Sequence, residues 1–260
     1  MIINSTETPF RRLAPGRVGD NGGGRMRTVL VTGGSRGIGL AIATAFADQG
    51  DRVAIVSRAG RSPDPRLYPV QCDITAAADV DRAFTDVETA LGPVQILVAN
   101  AGIAHKATLA PLLAEEELTA VLDTNVVGTH RTVKRALRGM LRARHGRILI
   151  VSSVGAFIGP AGQSGYAASK AGLVGYSRSL VSELGQRGIT INILAPGLTM
   201  TDMAADLPES TRKGIVDRIP MGRAATPADI APAALFLASE GASYITGIVL
   251  PIDGGTSMGT

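Results

Sequence analysis

From Arg27 onward, short runs rich in β-branched residues alternate with alanine-rich or amphipathic stretches of helical length. These runs occupy residues 28–31, 52–56, 68–72, 95–98, 147–151, 190–194 and 248–252. Strands that alternate with helices pair in parallel, and the crossover helices cover both faces of the sheet. The pattern therefore predicts an α/β fold, a single-domain Rossmann-type doubly wound parallel sheet of about seven strands. The ligand site is expected at the carboxyl ends of the strands.

Residues 1–25 differ in composition from the rest of the chain. Prolines and glycines punctuate them, arginines are scattered, and no apolar stretch of signal-peptide length occurs. We expect a flexible N-terminal extension, without a targeting signal, ahead of one domain at 26–260.

Composition limits the classes of partner. The net charge is +4, but after residue 27 basic and acidic residues are interspersed, which argues against nucleic acid. The absence of a run of about 18 apolar residues argues against a membrane span. Cys72 is the single cysteine, so no internal disulfide can form and a cytoplasmic location is expected. Because Cys and His do not cluster at metal-ligand spacing, no metal is predicted.

The first predicted strand runs into a glycine-rich turn, Thr32-Gly33-Gly34-Ser35-Arg36-Gly37-Ile38-Gly39, and helix-forming residues follow. Glycines let the backbone approach a pyrophosphate, and the following helix offers free N–H groups and a partial positive charge. The spacing differs from G-x-G-x-x-G, but its position after the first strand favours a dinucleotide site. An ordinary tight turn is the alternative.

The end of the second predicted strand indicates which dinucleotide binds. Dinucleotides that lack a 2′-phosphate usually meet an acid there, whereas this chain has Ser57-Arg58. Arg36 and Arg58 together could clamp a 2′-phosphate, so NADP(H) is predicted as the cofactor. The alternative is that Arg58 is a solvated loop arginine.

Tyr166 and Lys170 lie four residues apart and would share one face of a helix. A nearby cation favours the phenolate, so Lys170 is expected to lower the pKa of Tyr166 and make it a useful general acid. The alternative is an ordinary pair on a helix surface.

These motifs, taken in order along residues 28–255, resemble the short-chain dehydrogenase/reductase family. The resemblance implies a catalytic group of Asn125, Ser153, Tyr166 and Lys170. It also implies contacts to NADP(H) by Gly33, Ser35, Arg36, Gly37, Ile38, Gly39, Arg58, Asp73, Ile74, Asn100, Ala101, Gly102, Tyr166, Lys170, Pro196, Gly197, Thr199 and Thr201.

Within the family, several segments are similar to bacterial, especially actinobacterial, 3-oxoacyl-[acyl-carrier-protein] reductases. They are residues 29–34, 144–147, 162–163, 166–172, 201–203 and 244–247. This resemblance implies NADPH-dependent reduction of a 3-oxoacyl thioester, carried by a carrier protein or coenzyme A, to the 3-hydroxyacyl form.

The implied mechanism gives each catalytic residue a role. The cofactor delivers hydride to the carbonyl carbon, Tyr166 protonates the emerging alkoxide, and Ser153 forms a hydrogen bond with the same oxygen. Lys170 lowers the pKa of the tyrosine and binds the nicotinamide ribose. Asn125 holds a water that leads protons toward the lysine.

Several of these residues have structural alternatives. Ser153 could be only a cap, with Ser152 as the functional serine. Asn125 could satisfy backbone groups at a helix irregularity, and Asp73 could cap the helix expected near Ala77. The histidines are expected at the surface or in packing, namely His105, His130 and His145.

Substrate identity is the least constrained prediction. The helix after Asn125 carries basic residues that could dock an acidic carrier protein, namely Arg131, Lys134, Arg135, Arg138 and Arg142. Arg138 matches one docking arginine of the resembled reductases, but Ser182 stands where they have a second. A coenzyme A thioester or a small ketone therefore remains open, as does a solvated basic face used partly in subunit packing.

Two further expectations concern specificity and assembly. Residues 200–223 are predicted to form a mobile helical lid, interrupted by Pro208 and Pro220. The resemblance implies a homotetramer that pairs the helices of 113–143 and 165–186 in one interface and the strand at 248–252 in another. The rival classes are a short-chain enzyme for another ketone or secondary alcohol, and a non-catalytic NADP-binding regulator or scaffold. The complete catalytic group argues against the latter.

Overall fold

A computed structural model describes residues 26–205 and 208–258. Seven parallel strands form one sheet over these residues, in the order β3-β2-β1-β4-β5-β6-β7. They are β1 (Thr28–Thr32), β2 (Arg52–Ser57), β3 (Tyr68–Gln71), β4 (Ile96–Ala99), β5 (Gly146–Val151), β6 (Ile189–Pro196) and β7 (Val249–Ile252). The direction of strand addition reverses between β1 and β4, which opens a crevice at their carboxyl ends. The predicted doubly wound sheet is confirmed.

Helices cover both faces of the sheet. The described helices are α1 (Gly37–Asp48), α2 (Ala77–Leu91), α3 (Glu115–Leu122), α4 (Thr129–Ala143), α5 (Gly155–Ile158), α6 (Ser164–Leu184), α7 (Asp202–Ala205), α8 (Glu209–Val216) and α9 (Pro227–Leu237). One turn of π-helix, Asp123–Gly128, joins α3 to α4. Short 3₁₀ turns lie at Ala110–Leu112, Gly185–Arg187 and Glu240–Ala242.

Two buried layers hold the helices to the sheet. In β1, Val31 belongs to the same buried cluster as Phe46 of α1, together with residues of α9. Its neighbour Leu30 faces the other way and packs in the cluster of Phe84 of α2 and Leu173 of α6. Adjacent strand residues point to opposite faces, so a strand buried on both sides is apolar throughout. This explains the near-continuous apolar runs in the sequence.

Element boundaries differ slightly from those expected. The sixth strand is longer than the 190–194 run and ends at Pro196, which brings Gly197 to the edge of the crevice. The segment 200–223 contains α7 and α8, and α8 begins directly after Pro208. The extension at 1–25 lies outside the described residues, and the mobility of 200–223 stays a prediction.

Residues 26–205 and 208–258 contain neither a candidate membrane span nor a candidate metal cluster. None of the helices there combines the length and apolar character that a bilayer crossing requires. No three His, Cys, Asp or Glu side chains in those ranges are grouped so that they could hold a metal ion.

Candidate active site

The glycine turn between β1 and α1 has no room for side chains at two positions. Gly33 has a φ of +64°, and a Cβ there would lie 2.9 Å from the Ala101 Cα. A Cβ on Gly39 would lie 2.3 Å from the Gly33 carbonyl oxygen. α1 begins at Gly37 without a side-chain cap or an acidic residue in its first turn. Its N-terminal N–H groups therefore have no anionic partner within the helix, which fits a bound pyrophosphate.

Asn100, directly after β4, fixes this turn. Its Nδ2 donates to the carbonyl oxygens of Thr32 at 3.0 Å and Gly33 at 3.1 Å. The Thr32 hydroxyl accepts from the backbone N–H groups of Asn100 and Ala101, at 2.9 and 3.0 Å. The carboxyl ends of β1 and β4 are thus tied together under the crevice.

Gly39→Ala should weaken both folding and dinucleotide binding. The methyl group would force the turn away from the Gly33 oxygen, and overpacking of this kind costs about 1–3 kcal/mol of unfolding free energy. Urea unfolding and calorimetric titration with NADPH would measure the two effects. Gly214→Ala in α8 is the matched control, because a Cβ there meets nothing within 4 Å. Unchanged NADPH affinity in Gly39→Ala would contradict the proposal that the glycine turn binds the pyrophosphate.

Asp73 and Arg58 lie near each other after β3 and β2. The Asp73 Oδ1 accepts from the Thr75 N–H at 2.9 Å and from the Thr75 hydroxyl at 2.8 Å, and these bonds lower the pKa of Asp73. α2 starts at Ala77, with Ala76 at its N-cap and no side-chain cap. Asp73 therefore stabilises the turn before the helix through its bonds to Thr75, but it does not cap the helix. Ile74 is buried beside it. Arg58 is exposed and close enough to lower the pKa of Asp73 further.

The hydroxyls of Ser153 and Tyr166 and the ammonium group of Lys170 lie close together at the carboxyl end of β5. Tyr166 forms a hydrogen bond with Ser153, whose Oγ also accepts from the Gly155 N–H at 3.0 Å. The Lys170 Nζ lies 5.7 Å from the centre of the Tyr166 ring and donates to the Val151 carbonyl at 2.9 Å. Ser152 instead donates to the Lys170 carbonyl, at 2.9 Å. Ser153, and not Ser152, is therefore the serine that faces the tyrosine.

The charge states differ from the sequence expectation. Burial raises the pKa of Tyr166, and the Ser153 hydrogen bond only partly opposes this effect. Burial also lowers the pKa of Lys170 to about 8. Lys170 was expected to lower the pKa of the tyrosine, but desolvation dominates both groups because their charged forms lose water. At neutral pH the site therefore holds a protonated phenol beside an ammonium group.

Asn125 lies in the π-helical turn and is fully buried. Its Oδ1 accepts from the Ile103 N–H at 2.8 Å, and its Nδ2 donates to the Ile103 carbonyl and the Ser169 hydroxyl, each at 2.9 Å. The side chain projects from a helix irregularity, but the backbone groups that it satisfies are those of Ile103 in the loop after β4, not those of its own helix. A Cβ on Gly102 would lie 3.1 Å from this Oδ1 and 3.2 Å from the Lys170 Nζ, so Asn125 borders the lysine. Its water-holding role stays a prediction.

The segment after β6 forms the opposite wall. The Pro196 carbonyl accepts from the Val154 N–H at 3.0 Å, which links this segment to the loop after β5 that carries Ser153. The Thr199 hydroxyl donates to the Gly197 carbonyl at 3.0 Å. The Thr201 side chain rests against the glycine turn, 3.3 Å from where a Cβ on Gly37 would be. The predicted residues thus follow six strands, β1 to β6, and lie along the carboxyl edge of one parallel sheet.

One residue at the crevice was missed by the sequence reasoning. Asp202 pairs with Arg36, with 2.9 Å between the Asp202 Oδ2 and the Arg36 Nη1. The two residues are 166 positions apart, so no local pattern could have indicated the pair. Of the other predicted residues, Ser35 lies in the glycine turn and Ile38 in the first turn of α1.

A site of this kind on a doubly wound sheet defines a class, the α/β proteins that bind a dinucleotide at the topological switch point. A family model described as enoyl-(acyl carrier protein) reductase matches residues 33–257. The chain therefore belongs to the short-chain dehydrogenase/reductase family.

Within the family, the chain is similar to several named reductases and to a reductase of known crystal structure. The chain is 47% identical over 233 residues to the 3-oxoacyl-[acyl-carrier-protein] reductase MabA of Mycobacterium avium, covering 90% of this chain and 91% of that protein. It is 39% identical over 239 residues to the reductase FabG of Escherichia coli, covering 89% and 98%. The crystal structure of 3-ketoacyl-(acyl-carrier-protein) reductase from Brucella melitensis complexed with NADH superposes with a TM-score of 0.85 at 34% identity, covering 89% of this chain and 98% of that one.

Proposed function

We propose that the protein is an oxidoreductase that reduces 3-oxoacyl thioesters to 3-hydroxyacyl thioesters with NADPH. The observation that carries this proposal is the Ser153–Tyr166 hydrogen bond beside a buried Lys170, at the crevice where the dinucleotide turn ends. The names of the relatives, 3-oxoacyl-[acyl-carrier-protein] reductases, supply the substrate class.

The cofactor supplies hydride when bound, and the protein's own residues manage the proton and the charge. Because burial raises the pKa of Tyr166, its hydroxyl stays protonated at neutral pH and can donate to an oxygen that gains negative charge. The Ser153 Oγ already accepts from the Gly155 N–H, which leaves its own proton for the same oxygen. Lys170 places a positive charge behind the phenol, and preorganised charge of this kind favours the transition state over the ground state.

NADPH is preferred over NADH in this proposal. Two exposed guanidiniums, Arg36 and Arg58, lie after β1 and β2, and no acid occupies the end of β2. A guanidinium recognises phosphate through a planar fork of donors. The Brucella melitensis structure contains NADH, so a direct comparison of both dinucleotides is needed.

An acyl group bound to a carrier protein is the proposed form of the thioester, and ion pairs on the basic helix affect how a carrier could dock. On α4, Arg138 pairs with Asp81 at 3.0 Å and Arg135 with Glu88 at 2.8 Å. Arg131 pairs with Asp123 at 3.1 Å. Docking of an acidic carrier through Arg138 would have to exchange an existing ion pair for a new one, which reduces the gain.

The proposal also covers assembly and location: the protein forms a homotetramer in the cytoplasm. β7 is an edge strand, and Tyr244 and Ile248, shortly before it in the chain, are exposed apolar side chains, as is Phe236 of α9. Leu141 of α4 is exposed as well, on the helix that the family resemblance places in a second interface. Exposed apolar surface of this kind favours subunit contacts.

The test follows NADPH oxidation with acetoacetyl-carrier protein, acetoacetyl-coenzyme A, an enoyl thioester and a panel of simple ketones. We expect turnover of the 3-oxo thioesters, with the carrier-bound form preferred and NADPH faster than NADH. Turnover of ketones but not thioesters would keep the reductase assignment and remove the thioester. Turnover of the enoyl thioester alone would replace carbonyl by alkene reduction, and no turnover at all would favour a non-catalytic role.

A further inference from the structure

The two arginines proposed to bind the 2′-phosphate are in different states. Arg58 forms no ion pair within 4 Å among residues 26–205 and 208–258, whereas Arg36 pairs with Asp202. The side chains of that pair are 74% and 73% exposed, so both ends are accessible to a ligand that enters the crevice. Of the two guanidiniums expected from the sequence to bind the 2′-phosphate, that of Arg36 is thus already paired with a carboxylate of the protein itself.

The Asp202 carboxylate is held close to the glycine turn by backbone contacts. Asp202 begins α7 and follows directly after Thr201, whose methyl group lies against Gly37. The Met200 N–H donates to the Ala225 carbonyl at 2.8 Å, which ties this segment to the end of the loop before α9. These contacts place the Asp202 carboxylate beside the turn that carries Arg36.

The pair bears on cofactor choice only through the 2′-phosphate. A guanidinium fork engaged by a carboxylate offers fewer donors to a phosphate, and a nearby carboxylate repels the phosphate dianion. NADH lacks that phosphate, so these two effects act on NADPH alone, whereas repulsion between Asp202 and the pyrophosphate acts on both dinucleotides alike. We propose that Asp202 is a specificity-determining residue, a competing carboxylate that holds Arg36 and reduces the preference for the phosphorylated dinucleotide.

This inference rests on the proposed recognition of the 2′-phosphate by Arg36, and the experiment separates the two. Dissociation constants for NADPH and NADH are measured by calorimetry for the wild-type chain, Asp202→Asn, Arg36→Ala and the double variant. Asp217→Asn at the end of α8 is the matched control, since it makes the same change in charge at an exposed residue of the same segment. Circular dichroism checks that each variant is folded.

Asp202→Asn should raise the preference for NADPH over NADH, taken as the ratio of the two dissociation constants, about 2- to 5-fold, the range that an exposed ion pair can contribute. The gain should shrink in high salt, and it should also shrink in the Arg36→Ala background, because no guanidinium is then released and only the repulsion between the carboxylate and the phosphate is removed. Asp217→Asn should leave the ratio of the two constants as it is.

Two results would overturn the inference in distinguishable ways. If Arg36→Ala lowers the NADPH preference but Asp202→Asn does not raise it, Arg36 reads the phosphate and Asp202 does not compete. If Arg36→Ala leaves the preference unchanged, the proposed phosphate contact itself is wrong, and the inference fails with it. Weaker NADPH binding in Asp202→Asn would show that the carboxylate supports the bound cofactor and would also contradict the proposal.

Discussion

Tyr166→Phe should lower kcat for 3-oxoacyl thioester reduction by about 10²- to 10⁴-fold, the usual contribution of a positioned general acid. The substitution removes one hydroxyl and keeps the ring, so the packing above Lys170 is preserved. Loss of the hydroxyl leaves the emerging alkoxide without its proton donor and frees Ser153 from its partner. Steady-state kinetics with NADPH and acetoacetyl-coenzyme A would measure the loss.

Tyr176→Phe is the matched control, because Tyr176 lies on the same helix, α6. Its hydroxyl lies 3.2 Å from the His130 Nδ1, away from Ser153, and burial raises its pKa to about 12. The control should keep nearly the wild-type kcat, and NADPH affinity should survive in both variants. If Tyr166→Phe turned over thioesters at the wild-type rate, a different proton donor would have to be sought.

Sequence patterns predicted the parts of this molecule that depend on local rules. The βα alternation is sufficient for the doubly wound sheet, because each apolar run must be buried on both faces. The glycine spacing at 33, 37 and 39 follows from the close backbone approach that the structure shows at Gly33 and Gly39. Tyr166 and Lys170 lie on one helix, so their proximity is also local.

What the sequence could not supply depends on the tertiary environment. The family resemblance names Ser153 with Ser152 as the alternative, and the fold decides between them, because Ser153 faces Tyr166 while Ser152 donates to the backbone of α6. The pKa of Tyr166 was predicted to fall, whereas burial raises it, because desolvation depends on the neighbours from several elements. The Arg36–Asp202 pair joins distant segments and has no local signal.

Lys170→Met should have effects of opposite sign on activity and on stability. The side chain of Lys170 is buried, and burial lowers its pKa from 10.5 to about 8. Methionine fills a similar volume without the charge. Loss of the ammonium group behind Tyr166 should reduce kcat by about 10²- to 10³-fold, as removal of one preorganised electrostatic group does elsewhere.

The stability change follows from the same pKa. A folded-state pKa below the unfolded one means that the unfolded chain binds the proton more tightly, so burial of the ammonium group destabilises the fold below about pH 8. At about 1.4 kcal/mol per pKa unit, the fall from 10.5 to about 8 gives a penalty of slightly more than about 3 kcal/mol, and loss of the hydrogen bond to Val151 offsets about 1 kcal/mol of the gain. At pH 7 the free energy of unfolding of Lys170→Met should therefore be about 2 kcal/mol higher than that of the wild type, which means that the variant is more stable.

The pH dependence makes this prediction specific. As pH rises from about 8 toward 10.5, the wild-type lysine is neutral in the folded state and the penalty is relieved, so the advantage of the variant should narrow. Urea unfolding of the cofactor-free protein at pH 7 and pH 10 measures the difference. Lys134→Met, at an exposed position of α4, should show no such change. A Lys170→Met variant less stable than wild type at pH 7 would mean that the ammonium group gains more from its surroundings than it loses in water. The lysine would then be a structural as well as a catalytic group.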